Sequence, residues 1–144
     1  MSSKKHIQRI AFVGHDNSGS RHILSAILDA FPHVTPMVVV AGGLYYGHST
    51  FTSILRMARE SSIRFCAARA VEMLRYRLRG ETIPRLCDAR GVDWFATTDI
   101  NASHCTDRLR KFAPDLIVSL YTMQLYRRPI LDIPPLGTIN AHPS

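Results

Sequence analysis

The chain has 144 residues, enough for one domain around a single core, and 46% of them are apolar, as in ordinary folded proteins. No apolar run approaches the ~20 residues that span a bilayer, and the opening MSSKKHIQRIAFVGHD lacks an apolar signal region, so the chain reads as cytoplasmic, untargeted and without a membrane partner. The net charge of +7 favours phosphate-bearing partners, and nine arginines lie between Arg56 and Arg90. No aromatic RNA-binding signature accompanies them, so nucleic acid is a possible partner but not the favoured one. Three widely spaced cysteines, Cys66, Cys87 and Cys105, form no C-x-x-C pair. They read as reduced buried thiols, and no metal is expected.

Residues 8–14 read as a short buried strand closed by Gly14. Residues 18–31 follow as a helix, with Ile23, Leu24, Ile27, Leu28 and Phe31 on one stripe, Ser18 or Ser20 as cap and Pro32 as stop. Residues 34–41 form a second strand, apolar on both faces, ended by Gly42-Gly43. The stretch 50–79 reads as two amphipathic helices or one bent helix, with Ser61-Ser62 at the break and Gly80 at the end. One stripe is Phe51, Ile54, Leu55 and Ala58; the other is Cys66, Ala70, Val71, Leu74 and Leu78. Ile83-Pro84 is expected to be extended, with a turn of helix over 85–90.

Residues 92–97 suggest a strand, although Trp94 and Phe95 also suit a loop. Residues 103–112 suit a helix whose acidic start and basic end match the helix dipole. Leu116 to Leu120 is the clearest buried strand. Residues 125–131 suggest a short helix interrupted by Pro129, and residues 138–142 a final strand. This alternation predicts a single α/β domain over 1–144, Rossmann-like, with a mostly parallel sheet flanked by helices. Ligands of such sheets sit beyond the carboxyl ends of the strands, which directs attention to the loops after Val13, Val40, Leu120 and Ile139.

Three of those places carry chemistry. Gly14 and Gly19 have the spacing of a phosphate loop, but Ser20 stands where the lysine belongs and Arg21 where the Ser/Thr belongs, so a nucleoside-triphosphatase is rejected. A generic anion site at the start of the helix stays open beside a plain strand-to-helix turn. After the best strand, the backbone groups of Tyr121-Thr122-Met123-Gln124-Leu125 leave the sheet and can pair with a ligand. At the end of the chain, Asn140 and His142 are two apart on a strand and project to the same side. An amide there can hold a developing oxyanion, and an imidazole can move a proton near neutral pH.

The block PDLIVSLYTMQLYRRPILDIPPLGTINAHPS, from Pro114 to Ser144, resembles the formyltransferases that use 10-formyltetrahydrofolate. That family acts on methionyl-tRNA, glycinamide ribonucleotide and sugar amines. The matching elements, in order, are Pro-Asp before a buried strand, a loop with Gln124-Leu125, a Leu-Asp-Ile-Pro turn, a glycine and Asn-x-His-x-Ser. Elsewhere only the strand–helix order and the first loop match. The resemblance implies that Asn140 polarises the formyl group and that His142 assists proton transfer. It implies that the backbone from Tyr121 to Leu125 lines a pterin pocket, and that Gly14, Asn17, Ser18, Gly19 and Ser20 face the amine-bearing acceptor. The donor would be 10-formyltetrahydrofolate, with no metal, and the acceptor a sugar nucleotide, a small amine or tRNA.

The family continues past Asn-x-His-x-Ser to a catalytic aspartate that has no counterpart in these 144 residues. On that basis the sequence reads as the N-terminal part of a formyltransferase fold, truncated at its C-terminus, with little or no activity of its own. Two alternatives share the scaffold: a formyltetrahydrofolate hydrolase, and a non-catalytic domain that binds a folate or nucleotide.

Overall fold

The computed structural model describes residues 6–42, 59 and 61–141. Their elements in chain order are β1 (Arg9–Gly14), α1 (Ser18–Ala30), β2 (Thr35–Ala41), α2 (Ile63–Leu78), α3 (Ile83–Arg90), β3 (Asp93–Thr97), α4 (Ser103–Phe112), β4 (Leu116–Leu120), α5 (Arg128–Leu131) and β5 (Thr138–Ala141). The five strands form one sheet in the order β3-β2-β1-β4-β5, and every pairing is parallel. The expected α/β architecture with a parallel sheet flanked by helices is therefore present.

The strands are apolar on both faces because both faces are covered. On one side Phe12, Val38, Val118 and Leu120 pack with Leu24 of α1 and with Ile83, Leu86 and Cys87 of α3. On the other, Ala11, Val13, Val39, Phe95 and Ile117 pack with Cys105 and Leu109 of α4 and Ile130 of α5. The chain lays down β1, β2 and β3 in one direction, then returns to the other side of β1 with β4 and β5. The reversal falls between β1 and β4, the kind of position at which open parallel sheets commonly take ligands. At the opposite end of these strands, the Asp115 carboxylate accepts from the backbone N–H groups of Gln8 and Arg9, both at 2.9 Å.

Local expectations are corrected in three places, and one open alternative is decided. Asn17, not Ser18 or Ser20, caps α1: its backbone is extended and its Oδ1 accepts from Ser20 N at 2.8 Å. Ile83 and Pro84 are helical from the first residue, because Thr82 caps α3 and a proline in the first turn loses no hydrogen bond. For the same reason Pro129 opens α5 rather than interrupting a longer helix. The strand expected over 92–97 is present as β3, and Trp94 and Phe95 belong to it, paired with Val38 and Val39.

The remaining expectations meet mixed outcomes. Ser62 caps α2 through Phe65 N at 3.3 Å, so the second half of the 50–79 stretch is a helix of its own. The stripe from Phe51 to Ala58 lies outside the described residues, as does Gly43. Along α2 the apolar residues face outward: Leu74 and Leu78 are 58% and 76% exposed, and Tyr76 is the helix's only buried residue. Cys87 and Cys105 are buried thiols, each pushed up to about 11 mainly by burial, and Cys66 is half-buried.

Candidate functional site

The carboxyl ends of β1 and β4 come unusually close. Gly14 pairs with Leu120, and a Cβ at Gly14 would stand 2.5 Å from the Leu120 carbonyl oxygen and 2.7 Å from its Cβ. No larger residue fits without moving one strand. The same carbonyl accepts from His15 N and from the Ser20 hydroxyl, both at 3.3 Å. Beyond this seam the two segments part, one toward α1 and the other toward α5.

The loop after β1 contributes Gly14, Asn17, Ser18, Gly19 and Ser20. Their placements differ. Gly14 serves the seam, and Ser20 is fully buried with its hydroxyl committed to Leu120. The Asn17 amide oxygen is committed to the helix cap. Ser18 is exposed, and its N–H and that of Gly19 have no protein acceptor among the described residues. Gly19 lies against the Tyr121 ring, where an added Cβ would come within 3.4 Å of Cζ. The structure thus brings the first and second predicted loops together.

The loop after β4 is held from within. Tyr121 leaves the strand with φ of 52°, in the left-handed region, and its N–H donates to the Ala141 carbonyl of β5 at 3.2 Å. The Thr122 hydroxyl donates to the Val13 carbonyl at 3.0 Å. Gln124 is buried, and its amide is fully engaged. Nε2 donates to the carbonyls of Gly42 and Thr98, and Oε1 accepts from Ile100 N, all at 2.9 Å. This one side chain ties the ends of β2, β3 and β4. The Leu125 carbonyl accepts from Asn101 Nδ2. Among the described residues, the backbone groups of Thr122 and Met123 make no protein hydrogen bond. The loop's side chains fix its shape, and part of its backbone stays available.

Asn140 pairs in register with Ser119, one residue before the end of β4, and its side chain is exposed. Side chains of paired residues in a parallel sheet share a face, so Asn140 lies on the side of Ser119 and Tyr126. The Tyr126 hydroxyl reaches Thr122 Oγ1 at 3.5 Å, and burial pushes the phenol's pKa up. Asn140 therefore shares the sheet face of Ser119, near the carboxyl end of β4. His142 lies outside the described residues.

Three residues that sequence reasoning did not single out also belong to this end of the sheet. His15 Nε2 is buried without a partner, and burial holds the imidazole below its usual range, with the Ala41 carbonyl acting in the opposite direction. Asp16 accepts from the Tyr76 hydroxyl at 2.7 Å and from Ile83 N at 2.8 Å. Burial and this carboxylate drive the Tyr76 pKa upward. The pairing of residues 16 and 76 has no local signature, because 60 residues separate them.

Among the described residues, no cluster of three or more His, Cys, Asp or Glu side chains suits a metal ion. Nor is any of their helices long and apolar enough to cross a membrane. No protein-family model matches the chain.

Proposed function

We propose that this chain carries the folate-facing part of a formyl-transfer site, which moves a formyl group from 10-formyltetrahydrofolate to an amine. The observation that supports it best is the neighbourhood of Asn140. The exposed Asn140 of edge strand β5 pairs with Ser119 near the carboxyl end of β4, and β4 borders the switch point and leads into a loop with unpaired backbone groups among the described residues. The motif order from Pro114 to Ser144 adds the resemblance to folate-dependent formyltransferases.

In this reading the backbone of Thr122 and Met123 pairs with the pterin. The acceptor amine attacks the formyl carbon, and the carbonyl electrons move onto oxygen. Asn140 Nδ2 donates to that oxygen. Collapse breaks the bond to the folate N10, which takes up a proton as the amine loses one, with His142 as the carrier. The loop from Gly14 to Ser20 receives the acceptor, whose class is a sugar nucleotide, a small amine or an aminoacylated tRNA.

The test is titration of the chain with a stable 10-formyl folate analogue, read by amide NMR. Saturable shifts at Thr122 and Met123 are expected, with affinity falling about fivefold in Asn140→Ala as one hydrogen bond is lost. Absence of saturable binding would overturn the reading. Product analysis refines it: formylated amine supports transfer, free formate without amine indicates the hydrolase on the same scaffold, and binding with neither product indicates a non-catalytic folate-binding domain.

A further inference from the structure

Helix α2 touches the body of the protein through Tyr76, its only buried side chain, whose hydroxyl donates to Asp16 at 2.7 Å. The opposite side of the helix carries an apolar seam. Ile63, Ala67, Ala70 and Leu74 follow one another at intervals of four, three and four residues, and all four are exposed. Val71 and Leu78 widen the seam along one border, and Ile63 at its start is 82% exposed. A helix that only covers a core turns such a stripe inward. Here the polar tether faces in and the stripe faces out, so the apolar side of α2 has no partner among the described residues.

Two features of the seam indicate what fits it. Its spacing is that of knobs-into-holes packing, and its middle is built from alanines, which let the backbone of a second helix come close. A stripe that lies on lipid gains instead from bulky side chains along its whole length. Its borders are basic. Helical periodicity puts Arg64 and Arg75 along one border and Arg77 along the other, and none of the three has a carboxylate within ion-pair distance among the described residues. The helix's one carboxylate, Glu72, lies on the far side, bonded to Arg69 at 2.6 Å. Two copies of α2 would set these arginines against one another, on chains that each carry a net charge of +7, so charge argues against a second copy and for an acidic partner.

We propose that the outward side of α2 is a docking surface for an amphipathic helix of another protein, one with apolar residues along its seam and carboxylates on both of its borders. The two seams bury each other, and the carboxylates meet Arg64, Arg75 and Arg77, which sets partner choice and orientation as border charges do in coiled coils. One helix of ~24 Å buries less than a standard interface of roughly 1,600 Å², so the complex is reversible, with a Kd on the order of 10 µM. Helix α2 lies outside the stretch that resembles formyltransferases, so the surface goes beyond the proposed function and does not depend on it.

The experiment is a fluorescence-anisotropy titration of the 144-residue chain into a labelled synthetic peptide of about three heptads, with leucine at positions a and d and glutamate at e and g. A counterpart with lysine at e and g is the control. Saturable binding of the glutamate peptide is expected, weakening as salt is raised, with affinity for the lysine peptide lower by at least about tenfold. Leu74→Glu should weaken binding of the glutamate peptide by about tenfold or more while the urea midpoint stays near that of the parent. Should that variant not fold, Leu78→Ser at the end of the helix serves the same purpose. Arg64→Glu with Arg77→Glu should reverse the preference between the two peptides. The proposal is overturned by an absence of saturable binding of the glutamate peptide, by equal affinity for both peptides, or by affinity unchanged in the seam variants. It is equally overturned if phosphatidylglycerol vesicles displace the peptide, which makes the face a lipid surface, or if sedimentation shows a dimer of the chain that excludes the peptide, which makes it a contact between copies.

Discussion

The loop after β4 and helix α2 solve the problem of order in opposite ways. The loop has no regular secondary structure, yet Gln124 is buried in it with three hydrogen bonds to two other segments, the stretches after β2 and after β3. The helix has a complete backbone ladder and a serine cap, yet it rests on the body through Tyr76 and turns Leu74 and Leu78 to solvent. Regularity of the backbone therefore does not measure how firmly a segment is held. What holds a segment is the number of its groups that are satisfied only in one arrangement, and by that measure the irregular loop is the fixed region and the helix the loosely attached one.

The largest effect should come from Gln124→Leu. It strands the carbonyls of Gly42 and Thr98 and the N–H of Ile100 in a buried place, and should cost about 3 kcal/mol in urea unfolding. A loss under about 0.5 kcal/mol, the size of an ordinary surface change, would show that the loop is held by something else. Gly14→Ala tests the seam on which the loop stands. Its new Cβ meets the backbone of Leu120, which has nowhere to go, and about 2 kcal/mol should be lost.

Tyr76→Phe should cost about 1 kcal/mol or less. Its clearer signature is faster amide exchange along α2 with protection of β1 and β4 unchanged, whereas uniform acceleration would mean that the helix is integral to the core. Leu74→Glu should fall within about 0.5 kcal/mol of the parent, because the side chain is already exposed. A large destabilisation there would erase the contrast between the two regions.

Much of the fold was legible in the sequence for local reasons. Apolar runs such as Leu116 to Leu120 declare strands covered on both faces, and the glycines at 14, 42 and 80 mark real element ends. The prolines misled because a proline in a first helical turn loses no hydrogen bond, so Pro84 and Pro129 sit at the starts of α3 and α5 instead of breaking them. The meeting of the two loops was implied by strand order once β1 and β4 were neighbours, but the contact of Gly19 with Tyr121 depends on a left-handed residue that no local pattern demanded. The direction in which α2 faces was illegible for a different reason. Periodicity reports that a helix separates apolar from polar residues; it does not say which side meets the body. Gln124 read as a member of a ligand-facing loop, and its side chain turns out to shape that loop from inside.

The bonds from Asp115 to Gln8 and Arg9 join residues more than 100 positions apart, and β1 sits in the middle of the sheet with β4 on its far side. During synthesis, therefore, β1 leaves the ribosome before β4 and can pair on only one edge until β4 has followed it. At roughly 5–20 residues per second that interval lasts about 5–20 s. Through it, an apolar strand keeps an open edge, so the strand that ends at the centre of the sheet is the one whose second edge waits longest to be covered.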